Sequence, residues 1–254
     1  FLWIIYYEID LIVIGKTLGA SSVAIFAIAA TFMKLFRTLS SVLFSPFQNR
    51  YNHFIGLNDI KGLKSLVKSV IHFFIPIFLF PLISIIILSD QIVLTWVGPQ
   101  YFKSSLIITI LSINFIFGPI RIPGANLLVA FERIKDMYIV NIVMVLVYWI
   151  GITLTIEYWG VNSFAIFKLV SGGIAVLFYL KFLILFLNIN SISIYKLIKN
   201  LFIPVIIQII ILTMGNAYLP IIQGPFNLII VVVFGSFATL VGFVGTYVLS
   251  DSYK

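Results

Sequence analysis

Long apolar runs alternate along the chain with short polar segments rich in turn-forming residues, a pattern typical of repeated membrane crossing. A spanning helix needs about 20 mostly apolar residues, and eight runs suit this length, the first of which we expect to be truncated. They cover residues 1–18, 23–47, 70–88, 104–131, 137–156, 163–186, 201–219 and 226–249. The runs are too long and too evenly apolar for barrel strands, which alternate over about ten residues. The pattern predicts an all-α, multipass transmembrane bundle of about eight spans.

Composition agrees with this class and excludes several others. Hydrophobic residues make up 62% of the 254 and charged residues 9%, against roughly 25% charged in soluble domains. A soluble enzyme, a disordered regulator and a nucleic-acid binder are therefore excluded. The chain has no Cys and two His, so Cys-based chemistry and a three-His site are impossible. We expect no catalytic residues, no metal and no cofactor.

The net charge of +8 has a topological explanation. The loops after spans two, four and six hold Arg50, Lys61, Lys64, Lys68, Arg133, Lys135, Lys196 and Lys199, and the other loops hold only Lys16 and Lys103. Basic residues concentrate in cytoplasmic loops. We therefore expect the even loops and the C-terminal Lys254 to be cytoplasmic.

The chain opens at Phe1, inside an apolar run that lacks the basic start of a signal peptide. We expect it to be the C-terminal portion of a longer membrane protein.

The second predicted span carries a polar stripe. Its members are Thr31, Lys34, Thr38, Ser41, Ser45 and Gln48, with Arg37 one turn from Lys34. Spacings of three and four residues place them on one helix face. The stripe predicts either a water-filled, substrate-conducting interior or a polar seam between helices, and the two cations favour the interior.

Ionisable groups in the first, fourth and sixth spans are costly in a membrane and indicate a cavity or a charged partner. Glu8 and Asp10 point about 200° apart on an ideal helix; they predict a proton or cation site, or counter-ions to Lys34 or Arg37. Arg121 lies in the Pro-interrupted segment 118–124, where it could bind phosphate or extend to the interface. We expect Lys168, near Ser171, to extend outward.

The second loop suggests a membrane-surface element. Lys61, Lys64 and Lys68 share a helix face that lies opposite Leu63 and Val67. This pattern predicts a short amphipathic helix held by anionic lipid headgroups, although an ordinary loop entering span three also fits.

Three segments resemble polysaccharide flippases of the Wzx type, which are related to MATE exporters and lipid II flippases. Residues 7–27, YEIDLIVIGKTLGASSVAIFA, resemble the start of the second lobe of such proteins. Residues 45–50, SPFQNR, resemble the Pro and basic end of the next helix, and residues 96–101, WVGPQY, resemble an outer segment of the family. The matching order and spacing cover about the first hundred residues.

The resemblance implies two lobes of six helices around a central cavity, with residues 1–186 as the second lobe and 187–254 as two added helices. It implies alternating access rather than catalysis. The substrate would be an oligosaccharide on polyprenyl pyrophosphate, moved across the bacterial inner membrane for O-antigen, capsule or exopolysaccharide assembly. Partners would be membrane lipids and polysaccharide assembly proteins, with no nucleic acid. Lys34, Arg37 and Arg121 could neutralise the diphosphate.

Two other functions compete with this one. A MATE-like, cation-coupled exporter of small organic molecules would suit an acidic cavity, whereas the stripe on span two is cationic. A membrane polymerase or acyltransferase would need a sizeable outer loop or an intramembrane His site. The outer loops here are short, and both His residues lie near the predicted cytoplasmic side.

Overall fold

The computed structural model describes residues 2–188 and 191–249, with the backbone alone for residues 191–198 and 249. Over these ranges it contains ten α-helices, one short 3-10 turn and no strand. The helices are α1 (Leu2–Tyr7), α2 (Asp10–Leu18), α3 (Ala20–Gly56), α4 (Ile60–Trp96), α5 (Ser104–Ile116), α6 (Gly118–Ala130), α7 (Ile134–Trp159), α8 (Asn162–Leu187), α9 (Ser191–Asn216) and α10 (Pro225–Leu249).

The predicted all-α, multipass class is confirmed. Within the described ranges, six helices are long and apolar enough to cross a membrane, and the broken pair α5 and α6 would make a seventh. The first predicted span is divided, because α1 ends at Tyr7 and α2 begins at Asp10. Lys254 and the side chain of Lys196, which both enter the orientation argument, lie outside the described residues.

The second loop is shorter than the sequence pattern suggests. Helices α3 and α4 have 37 residues each, about 55 Å at 1.5 Å per residue, so both exceed a hydrocarbon core of about 30 Å. Asp59 caps the N-terminus of α4, because its Oδ1 accepts a hydrogen bond from the Gly62 amide at 2.9 Å. The predicted polar and apolar faces occur in the first turns of α4, with Lys61 and Lys68 exposed and Leu63 buried. This segment is continuous with the span rather than a separate short helix, and its contact with lipid headgroups stays a prediction.

The chain divides into two compact units. Unit 1 comprises Phe1–Ile71 and Phe117–Asn188, and unit 2 comprises His72–Ile116 and Ile189–Lys254. In unit 1, α6 packs against α3, α7 and α8, while α1 packs on α7. Helices α7 and α8 approach closely at Gly151, where an added Cβ would overlap the Phe167 ring. The predicted division at residue 186 remains a prediction.

A buried amide holds the helices of unit 2 together. The Nε2 of Gln208 in α9 donates to the Phe80 carbonyl at 2.8 Å and to the Ser84 hydroxyl at 3.0 Å, both in α4. The Ser84 hydroxyl in turn donates to the Gly235 carbonyl of α10 at 3.1 Å. Because lipid offers no competing hydrogen bonds, such contacts help to join spanning helices.

The two ends of α7 allow a direct test of orientation. Lys135 and Glu157 are exposed near opposite ends of this helix, about 33 Å apart at 1.5 Å per residue. We expect Lys135→Cys to react with a membrane-impermeant maleimide only after the cell is opened, and Glu157→Cys to react in intact cells. The background is clean because the chain has no native Cys. Labelling with the reverse sidedness would contradict the cytoplasmic assignment of the even loops.

Candidate functional site

A buried ion pair in unit 1 joins the break between α1 and α2 to α8. The Nζ of Lys168 lies 2.6 Å from Oδ2 of Asp10, and the two side chains are 0% and 3% exposed. Asp10 is the first residue of α2, so its carboxylate also stabilises the positive end of the helix dipole. Two charges can be buried in this way only because each neutralises the other.

Lys168 makes further contacts that satisfy its ammonium group. It donates to the Tyr6 carbonyl at 2.7 Å, a backbone acceptor at the end of α1, and to the Tyr148 hydroxyl at 3.1 Å. The Tyr148 hydroxyl donates to Oδ1 of Asp10 at 2.7 Å, which closes a ring of three side chains. We name Asp10, Tyr148 and Lys168 the buried triad. The expectation that Lys168 extends outward is therefore wrong, because its partners lie inside the bundle.

Aromatic and hydroxyl groups surround the buried triad. The Tyr6 hydroxyl lies 2.8 Å from Oγ of Ser171, one turn beyond Lys168 on α8. Trp149 donates its indole N–H to the Ile5 carbonyl at 3.2 Å. The Lys168 ammonium lies 4.3 Å from the Tyr148 ring centroid and 4.8 Å from that of Tyr6, within the range of cation–π attraction. These contacts fasten α1 to α7 and α8.

Glu8 has a different partner from Asp10. Its Oε1 accepts from Nη2 of Arg37 on α3 at 3.1 Å. The Arg37 guanidinium also lies 4.7 Å from the Trp3 ring centroid and 5.1 Å from that of Tyr7. The two acids thus face different helices, as their spacing predicts. Of the two counter-ions considered for Glu8, the structure pairs it with Arg37 rather than Lys34.

Arg121 lies in the first turn of α6, just after the break at Phe117. Its backbone N–H donates to the Phe117 carbonyl at 3.0 Å. One of its guanidinium nitrogens, Nη1, is buried and has no hydrogen-bond partner in the described part of the chain. Arg121 therefore retains capacity to bind an acceptor.

The polar stripe of α3 faces away from the packed interior of unit 1. Its exposed members are Thr31, Lys34, Thr38, Ser41 and Ser45, and Gln48 is half-buried. Gln48 donates from Nε2 to the Asn126 carbonyl of α6 at 3.3 Å. The opposite face of α3 buries Met33, Phe36 and Phe44. Five polar positions are thus available to water, lipid or another protein segment.

Cysteine scanning can distinguish a hydrated face from a lipid-facing one. Leu39 on α3 is 42% exposed and points about 100° away from Thr38 on an ideal helix, so steric access alone does not separate it from the stripe. We expect Cys at Thr38 and Ser41 to react with a polar thiosulfonate, because the reagent and the thiolate both need water. Cys at Leu39 should stay unreactive in lipid. Equal reactivity at all three positions, or none at the stripe, would contradict a hydrated stripe.

Sequence reasoning missed the role of Lys168 and gave no sign of Tyr148. An ionisable residue inside a span indicates a function or a partner, and this rule applies to Lys168 as much as to Asp10. Pairing the two required knowing that α8 packs beside the α1–α2 break. Tyr148 stands in an apolar run whose pattern does not distinguish it from other aromatic residues.

Comparisons with known proteins give no match, so the class of this protein is defined by its fold. A scan against protein-family models gives no match, and a search of curated proteins gives none either. The fold defines an all-α, multipass protein of membrane-spanning type. The described residues of unit 1 add the buried Lys168–Asp10 pair, two more exposed ion pairs (Arg37–Glu8 and Arg133–Asp136) and a polar helix face.

Proposed function

We propose that this chain is part of a flippase for oligosaccharide units carried on polyprenyl pyrophosphate. It would move them across the inner membrane by alternating access, for O-antigen, capsule or exopolysaccharide assembly. The observation that carries the proposal is the unbalanced positive charge in the helices of unit 1. The resemblance of the opening hundred residues to Wzx-type flippases supports it independently.

The charge balance favours an anionic substrate. Among the candidate site residues and the buried triad of unit 1, four cations, Lys34, Arg37, Arg121 and Lys168, stand against two carboxylates, Glu8 and Asp10, which leaves this set with a net charge of +2. The charge of Lys168 is neutralised by the buried Asp10 carboxylate, and that of Arg37 is partly neutralised by the exposed Glu8 carboxylate. Lys34 has no acidic partner within the described residues, and Arg121 has an unbonded buried nitrogen. A diphosphate group would neutralise such an excess in a low-dielectric space.

The same helices offer groups for the sugar part of the substrate. Thr31, Thr38, Ser41 and Ser45 are exposed along α3, beside Lys34. Hydroxyls donate and accept hydrogen bonds without demanding one ligand geometry, which suits a path that many sugar hydroxyls pass in turn. An exposed polar stripe of this kind is costly against lipid, so we assign it to a hydrated interior.

Export of small organic cations is the alternative function. It would need a carboxylate in the cavity that is available to the substrate. Asp10 is enclosed by Lys168 and Tyr148, while Glu8 contacts Arg37. Both acids of the α1–α2 region are therefore already engaged with cations, which favours the anionic substrate.

The proposal includes a location and an orientation. The chain would lie in the bacterial inner membrane with its even loops and C-terminus in the cytoplasm, where lipid-linked units are made. Its partners would be membrane lipids and the proteins that assemble the polysaccharide.

Deleting the gene tests the proposal in cells. We expect lipid-linked repeat units to accumulate on the cytoplasmic leaflet, where a membrane-impermeant glycosidase cannot reach them in intact spheroplasts. A plasmid copy should restore export. Unchanged surface polysaccharide, with no accumulated intermediate, would reject the proposal.

A further inference from the structure

We infer that Glu8 occupies the anion-binding position of Arg37 when no substrate is bound, and that a diphosphate group displaces it. Glu8 is then an autoinhibitory contact within the proposed substrate path. The inference rests on the proposed function, and adds to it a residue that sets the affinity for the anionic end of the substrate.

Arg37 is held in place by groups other than Glu8. Its guanidinium lies against the rings of Trp3 and Tyr7, at 4.7 and 5.1 Å from their centroids. Arginine stacks on aromatic faces while its planar edge stays available for a carboxylate or phosphate. The Arg37 side chain remains 26% exposed. It can therefore keep its position when Glu8 leaves and still be reached by a ligand.

Glu8 is held weakly by comparison. Among the described residues, its side chain makes one polar contact, the 3.1 Å hydrogen bond to Arg37, and it is 48% exposed. An exposed ion pair contributes little, because water screens it and both side chains lose freedom. Glu8 also lies in the turn between α1 and α2, outside both helices. A phosphate group, which can accept two parallel hydrogen bonds from the arginine fork, competes well against such a contact.

Asp10, two residues away, has the opposite properties. It is 3% exposed, paired with Lys168 at 2.6 Å and bonded to Tyr148 at 2.7 Å. A ligand could not remove it without unpacking α7 and α8. The two carboxylates therefore have separate tasks: Asp10 fastens the break between α1 and α2, and Glu8 competes for Arg37.

The test measures binding of farnesyl diphosphate to the purified full-length protein in nanodiscs, with inorganic pyrophosphate and farnesol as parallel probes. We expect Glu8→Gln to lower the Kd for farnesyl diphosphate about two- to fivefold, the range that matches an exposed ion pair. The matched control is Glu157→Gln, which removes one exposed carboxylate at the far end of α7 and should leave the Kd unchanged. If the protein binds inorganic pyrophosphate, the free diphosphate is sufficient for binding. If it binds farnesyl diphosphate but not inorganic pyrophosphate, binding also requires the lipid chain.

Two further variants separate direct competition from long-range repulsion. Glu8→Asp keeps the charge but is one methylene shorter, so we expect it also to strengthen binding by losing the contact with Arg37. In an Arg37→Gln background, Glu8→Gln should give no gain. A Glu8→Gln protein that binds no tighter than wild type, or a gain that persists without Arg37, would overturn the inference.

The outcomes also separate this inference from the proposed function. Tighter binding by Glu8→Gln in a protein that does not flip lipid-linked sugars would support the Glu8 contact and contradict the flippase. If the wild-type protein flips lipid-linked sugars but its Kd does not change in Glu8→Gln, the result would support the flippase and contradict the Glu8 contact. If neither wild type nor Glu8→Gln binds either diphosphate probe, the inference is wrong.

Discussion

Lys168→Met should destabilise the protein more than any other single substitution considered for unit 1. The change removes the ammonium group but leaves the Asp10 carboxylate buried beside Tyr148. Breaking a buried ion pair from one side costs about 3–5 kcal/mol, beyond the 0.5–3 kcal/mol of most substitutions. The measurement is the temperature at which half of the detergent-solubilised protein leaves its monodisperse size-exclusion peak. An unchanged midpoint would contradict a structural role for the buried triad.

A double variant shows whether the stranded charge causes the loss. Asp10→Asn combined with Lys168→Met removes both charges, while the Asn oxygen can still accept from Tyr148. We expect this protein to be more stable than Lys168→Met alone, because neighbouring sites are not additive. Glu8→Gln provides the matched comparison on the exposed pair, where about 0–1 kcal/mol is expected. Equal losses from the exposed and buried pairs would show that burial does not decide their contribution.

Neutralising the three path cations should abolish export. The triple variant Lys34→Gln, Arg37→Gln and Arg121→Gln keeps polar side chains at these positions but removes the positive charge offered to a diphosphate. Hydrogen bonds to charged groups contribute about 1.5–3 kcal/mol each, so we expect transport to fall at least about a hundredfold. The protein should still reach the membrane, because neutral side chains are cheaper to insert. The readout is surface polysaccharide per amount of membrane-embedded protein.

A second triple variant controls for total charge. Lys61→Gln, Lys64→Gln and Lys68→Gln remove the same charge from the first turns of α4, outside the proposed path, and should export normally. Arg121→Lys should retain part of the activity, because lysine keeps the charge without the bidentate fork. Normal export by the Lys34, Arg37 and Arg121 triple variant would reject the cationic path.

The spans could be predicted from the sequence because lipid requires long apolar helices with internally satisfied backbones. Apolar runs define helices α3, α4, α7, α8 and α10 well. The boundaries were less predictable, since helices continue past the bilayer into polar sequence, as α4 does from Ile60. The break between Tyr7 and Asp10 was not predicted either, because no Pro or Gly marks it.

Local spacing predicted faces but not partners in the candidate site. The three- and four-residue spacing of the α3 stripe predicted that Thr31 to Ser45 share one side of the helix, and the structure exposes that side; its lining of a hydrated interior stays a prediction. The link between Asp10 and Lys168 spans most of unit 1 along the sequence and depends on how α2, α7 and α8 pack. Lys168 therefore looked like an interfacial residue, although it is fully buried.

Reconstituted transport tests the central claim most directly. The purified full-length protein is placed in liposomes that carry a polyprenyl-diphosphate-linked oligosaccharide on both leaflets, and an external glycosidase reports which molecules become accessible. We predict that wild-type protein exposes the inner pool of this lipid, whereas the Lys34, Arg37 and Arg121 triple variant leaves it protected. Protection of the inner pool by wild-type protein, or equal exposure by the triple variant, would contradict a flippase that works through these cations.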